Sequence, residues 1–148
     1  MEVTLLLCDW AEVVNGKLYI MGAGWSRVLI TQPVTVAVAI LIKVPWAQTN
    51  QRHTLKFTIA NEDGQPLTQE TPDGTNEPVI AGGEFEIGRP PGTTPGTDFD
   101  TPVAFKLGPL VLTSGRYVCE LEIDGTVEAK ATFEGVGGFM PNMGGPIQ

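Results

Sequence analysis

Apolar and polar residues alternate with a period of two along much of the chain. In HTLKFTIAN, Leu55, Phe57 and Ile59 share one side, with Thr54, Lys56 and Thr58 opposite. In VIAGGEFEIG, Val79, Ala81, Phe85 and Ile87 oppose Glu84 and Glu86. In YVCELEIDGTVEAKATFE the apolar set is Tyr117, Cys119, Leu121 and Ile123, then Val127, Ala129, Ala131 and Phe133. This pattern marks half-buried strands of an antiparallel sheet. The longest apolar run, Val34 to Ile42, interrupted by Thr35, is too short to cross a bilayer, so it predicts a buried strand. No stretch offers capped helical spacing. The expectation is an all-β chain of about seven to nine strands, arranged as a single antiparallel β-sandwich.

Turn chemistry sets two registers. A two-residue loop at Asn15-Gly16 pairs Val14 with Lys17, Val13 with Leu18, Glu12 with Tyr19 and Ala11 with Ile20. Ala11, Val13, Leu18 and Ile20 then share a face, and Asn-Gly supplies the positive φ angles of such a turn. At Asp124-Gly125 the same loop would place the apolar sets on opposite faces. Pairing Ile123 with Val127, Leu121 with Ala129, Cys119 with Ala131 and Tyr117 with Phe133 restores agreement, so this connection needs three residues or a bulge.

The stretch NGKLYIMGAGW places Gly22 and Gly24 after an apolar run, as a dinucleotide fingerprint would. That fingerprint needs a third glycine and a following helix. Arg27 stands at the third position, and WSRVLITQPV is β-branched and broken by Pro33. The glycines therefore predict a bend or bulge that re-aims Trp25.

Arg89 to Pro102 (RPPGTTPGTDFDTP) reads as a long surface loop. Residues 1–135 form the expected β domain, and 136–148 a Gly/Met/Pro-rich tail. The tail carries Phe139, Met140, Met143 and Ile147 but too much glycine for a core of its own. It is expected to dock on another subunit or a protein partner, with Phe139 as anchor. The net charge of −8 argues against nucleic acid and anionic membrane as partners. Glu2 and a short apolar stretch do not make a signal peptide, so a cytoplasmic location with Cys8 and Cys119 reduced is expected.

Catalytic sets are not evident. His53, beside Arg52 at a strand start, reads as a surface histidine, and the serines, Ser26 and Ser114, lack nucleophile-elbow context. The cysteines and His53 show no zinc-ligand spacing. Asp98, Asp100, Asp73 and Glu77 have the chemistry for calcium, although loop carboxylates more simply solvate turns. No cofactor and no metal is expected. Trp10, Trp25 and Trp46, with Tyr19, are the candidates for stacking on a ligand, against an alternative as core or interface residues.

Thr113-Ser114-Gly115-Arg116-Tyr117-Val118-Cys119 resembles the tyrosine corner of immunoglobulin-like sandwiches. The resemblance implies a Tyr117 hydroxyl bonded back to nearby backbone. Cys8 lies far outside the immunoglobulin cysteine spacing, so a disulfide is not expected. The opening segments Leu5-Leu6-Leu7-Cys8-Asp9, Asn15 to Ile20 and Gly22-Ala23-Gly24-Trp25, with Val44-Pro45-Trp46 and Arg52-His53, are similar to a family of small uncharacterised proteins of actinobacteria and their phages. That resemblance implies a bacterial or phage source and no catalytic residues. The functional expectation is a non-catalytic structural or interaction module, such as a component of a phage particle (then located in the virion) or a bacterial assembly. The alternative is a small-ligand or carbohydrate-binding domain.

Overall fold

A computed structural model describes residues 1–137, and among them the chain is all-β, with twelve strands and one 3-10 turn. The first strands are β1 (Glu2–Cys8), β2 (Trp10–Val14), β3 (Lys17–Met21), β4 (Arg27–Leu29) and β5 (Val34–Val44). After the 3-10 turn at Trp46–Gln48 come β6 (Arg52–Asn61), β7 (Thr68–Glu70), β8 (Asn76–Pro78) and β9 (Ile80–Glu86). β10 (Phe99–Leu110), β11 (Gly115–Ile123) and β12 (Thr126–Val136) follow. Phe139, Met140, Met143 and Ile147 lie outside the described residues.

The apolar run becomes the axis of the molecule. β5 is the centre of a three-stranded sheet ordered β1-β5-β10. Val36, Val38, Ile40, Ile42 and Val44 point to one side, into the main core with Phe57, Ile59, Cys119, Leu121 and Phe133 of a five-stranded sheet ordered β4-β12-β11-β6-β9. Ala37 and Ala39 point the other way and meet Cys8 and Ala11 beneath the β2–β3 hairpin. A strand covered on both faces has no use for polar alternation, which accounts for its composition. The small alanines let the hairpin approach closely. On one flank β1 lies beside β12. On the other flank no ladder joins β9 to β10.

The hairpin register is the expected one, with Ala11 opposite Ile20 and Val13 opposite Leu18. Tyr117, Cys119 and Leu121 face Phe133, Ala131 and Ala129. There the bulge alternative holds, but Ile123 faces Thr126 and not the expected Val127, because the bulge lies before Glu122. Asp124 and Gly125 make a two-residue turn with positive φ, and the register shifts between Leu121 and Glu122. Gly22 also has positive φ, and a Cβ on it would collide with the Asp9 carboxylate. That bend is closed by hydrogen bonds from the Asp9 N–H to the Met21 carbonyl (3.0 Å) and from the Gly24 N–H to the Leu7 carbonyl (2.9 Å).

Three expectations need correction. There are more strands than seven to nine, because β4, β7 and β8 are three-residue strands too short to show alternation. The five-stranded sheet is mixed, since β4 runs parallel to β12 (Val28 with Gly135) while the remaining ladders are antiparallel. The loop after Arg89 ends sooner, because β10 begins at Phe99 and holds Pro102 opposite Leu41. Proline is tolerated there because β10 is an edge strand. β12 runs through Val136, the residue at which the tail was expected to start.

Candidate functional site

His53 is not a surface residue. It is 2% exposed, on the same face of β6 as Leu55 and Phe57, and its ring packs 5.2 Å from that of Phe85. Nδ1 lies 2.7 Å from Asp124 Oδ2, and Nε2 lies 2.8 Å from the Gln48 carbonyl oxygen. Both partners are acceptors, so the protonated ring can donate from both nitrogens at once, and the site favours the imidazolium. Burial opposes the charge, but the Gln48 carbonyl and the Asp124 carboxylate outweigh it and raise the pKa above the ordinary histidine value. Asp124 also accepts from the Thr54 N–H (2.9 Å), and its hydrogen bonds, His53 first, lower its pKa. A carboxylate–histidine pair is two thirds of a catalytic triad, but here the second nitrogen is spent on a carbonyl. The cluster clamps the 3-10 turn, β6 and the β11–β12 turn together. The signal for it was in the sequence, because His53 has the parity of Leu55.

The other titratable candidates are dispersed. Cys8 and Cys119 are free and buried in different layers, Cys8 beneath the hairpin and Cys119 in the main core. Desolvation raises both thiols, Cys119 to about 12, which makes them poor nucleophiles. Asp73 takes hydrogen bonds from Thr71 and Thr75 that lower its pKa to about 2, and it serves the turn between β7 and β8. Asp100 pairs with Lys43 at 3.6 Å. Among the described residues no three His, Cys, Asp or Glu side chains converge on one point.

The three tryptophans occupy separate places. Trp25 is re-aimed by the glycine bend into the core, edge-on to Phe133 at 5.6 Å. Trp46 stacks on Phe99, with the Arg89 guanidinium 3.7 Å from its ring. Arg89 also donates to the Trp46 carbonyl and the Thr49 hydroxyl, both at 2.6 Å, which fixes the start of the long loop. Trp10 lies on the hairpin beneath Lys106 Nζ, 3.0 Å from its ring centre. Lys106 pairs with Ala37 and Phe99 with Val44. Those ladder positions place Trp10 and Trp46 roughly 20 Å or more apart along β5, at about 3.3 Å per residue.

What the sequence did not single out is the outer face of the hairpin as a unit. Its inner face supplies Ala11, Leu18 and Ile20 to the packing over β5. Its outer face presents Trp10 opposite Met21 and Glu12 opposite Tyr19, with Val14 near the turn. Met21 is 68% exposed, Tyr19 51% and Trp10 44%. Trp10 and Tyr19 are diagonal neighbours, about 7–8 Å apart in such a ladder.

No curated protein matches the chain. Among solved structures it is similar to the alkylpurine DNA glycosylase AlkC of Pseudomonas fluorescens, bound to DNA containing an abasic site analog. That likeness has 11% identity and a TM-score of 0.41, and it covers 90% of this chain and 30% of that one. A family model described as a family of unknown function (DUF6941) matches residues 3–134, and the chain belongs to that family.

Proposed function

We propose that the protein is a non-catalytic interaction module that presents the outer face of the β2–β3 hairpin to a protein partner. The observation that carries this is the grouping of Trp10, Tyr19 and Met21, all exposed, on one rigid hairpin seated on the buried β5. The commitment of both His53 nitrogens to fixed acceptors supports a non-catalytic reading. In the same reading the two principal sheets form an immunoglobulin-like sandwich. The Tyr117 hydroxyl supports it, donating to the Thr113 carbonyl at 2.8 Å and accepting from the Thr113 N–H at 3.0 Å. The host setting is a phage particle or a bacterial assembly, an inference by analogy from fold. The tail at 136–148 remains a second proposed contact with the partner.

A carbohydrate or small-ligand reading is favoured by one observation, the diagonal pair of Trp10 and Tyr19. Trp25 and Trp46, packed against Phe133 and Phe99, do not contribute to it.

The test compares wild type with Trp10→Ser/Tyr19→Ser/Met21→Ser in capture from a native lysate, with Val111→Ser as a surface control (Val111 is 82% exposed). A protein retained by wild type and by the control, and lost with the triple variant, is the expected result. Equal retention by all three proteins overturns the hairpin reading. Quenching of tryptophan fluorescence by soluble oligosaccharides in wild type, lost in a Tyr19→Ser variant that keeps Trp10, would install the alternative.

A further inference from the structure

We infer that the free edge of β9 is a self-association surface that pairs with β9 of a second copy across a two-fold axis. This is independent of the hairpin proposal. β9 is the outer strand of the five-stranded sheet, so among the described residues the backbone groups on its far side lack a ladder partner. Exposed edges are ordinarily guarded by proline, charge or shortness. β10 carries Pro102 and Pro109 and breaks its register near its end, β4 is only three residues long, and β1 lies beside β12 with its Leu7 carbonyl taken by the Gly24 N–H. β9 is seven residues long, has no proline and contains Gly82-Gly83, and its charges, Glu84 and Glu86, are confined to one end. A Cβ built on Gly83 would meet open space.

The gap beside this edge is apolar. Leu55, Ala81 and Phe85 from one sheet and Val103 and Phe105 from the other line an open cleft of about 270 Å³ between β9 and β10. Among the described residues no ladder pairs across it.

The second copy is chosen by the pattern of charge and size along β9. Centring an antiparallel pair on Gly83 overlaps the whole strand. It places Ile80 opposite the partner's Glu86, Gly82 opposite the partner's Glu84, and Ala81 opposite the partner's Phe85. No like charges then stand directly opposite each other, the two Glu84 side chains being diagonal neighbours, whereas a centre on Glu84 or Phe85 would set glutamate directly against glutamate. Ala81 and Gly83 leave room on the inward side for each partner's Phe85 to lean toward the opposing cleft. Ile80, 49% exposed in the single chain, is covered in the pair. Seven residues of edge give a small interface, so the association should be weak.

The experiment is sedimentation equilibrium of the full chain over a range from about 10 μM to 1 mM. Wild type should pass from monomer to dimer. Ile80 is half exposed, so substitutions there should leave the melting temperature close to that of wild type. Ile80→Lys sets a lysine opposite the partner's Glu86 and should tighten the dimer. Ile80→Asp sets like charges there and should weaken it. Because each pair occurs twice about the axis, each change should amount to about twofold to thirtyfold. Opposite signs at one position are what this register requires. A monomer at every concentration, changes of the same sign, or a dimer lost only with Tyr19→Ser on the hairpin would each overturn the inference.

Discussion

At His53 a single side chain ties three chain segments, and its titration carries a stability signature. The groups facing the ring are the Asp124 carboxylate, the Gln48 carbonyl and the Phe85 ring, with the N-terminal ammonium opposing its charge. Its folded pKa is raised above the unfolded value of 6.5, so the clamp contributes fully below that pH and fades as pH rises through the folded value. Asp124 has the opposite sign, contributing above 3.8 and fading as pH falls through its lowered value. The thiols, also raised, act only near and above 9.0. The melting temperature should therefore fall as pH rises from 6.5 to about 8, and His53→Gln should flatten that slope. A wild-type melting temperature that is level or rising in this window would contradict the clamp. Tyr117→Phe tests the neighbouring residue-scale device. It removes two bonds to the Thr113 backbone and should cost about 1–3 kcal/mol in urea denaturation.

At the scale of elements, legibility followed sequence distance. The hairpin was readable because Asn15-Gly16 fixes the turn and four apolar residues then agree in face. The bulge near Asp124 was readable because only a shifted register keeps Leu121 and Ala129 together. The parallel contact of β4 with β12 was not, because three residues carry no pattern and the partner lies a hundred residues away in sequence. The same holds for the open flank beside β9, which depends on which sheet edges meet. His53 was misread for a different reason. Its polarity argues for the surface, whereas its parity with Leu55 and Phe57 assigns it the buried face. The glycine bend gives the sharpest element-scale prediction. Gly22 and Gly24 both have positive φ, but only at Gly22 would a Cβ also strike Asp9, while Gly24 opens onto free space. Gly22→Ala should destabilise by about 2 kcal/mol or more and Gly24→Ala by about 1 kcal/mol, measured by chemical denaturation. Equal losses would mean that the Asp9 contact relaxes without cost.

At the scale of the whole molecule, the C-terminal end of β12 decides where the cooperative unit stops. β4 has one ladder, to Glu134, Gly135 and Val136. Just beyond it the Ile30 N–H donates to the Val136 carbonyl at 3.0 Å. Gly135 sits against Ile30, the Thr113 carbonyl and the Tyr117 ring, and Trp25 at the entry to β4 packs on Phe133. A chain ending at residue 135 loses the Val136–Leu29 pair and the Ile30 bond together, which frees β4 and slackens the seat of Trp25. A chain ending at residue 137 keeps all of them. The first should therefore be less stable than the second by about 1–3 kcal/mol, from lost hydrogen bonds and lost apolar burial. The second should melt with the full-length protein. Capture from lysate by the chain ending at 137 then separates the two proposed contacts. Retention of the partner leaves the hairpin as its seat, and loss of the partner with an unchanged melting temperature assigns it to residues 138–148. If the two truncated chains melt together, β4 and its parallel pairing lie outside the cooperative core. The described strand end at Val136 would then have no energetic meaning.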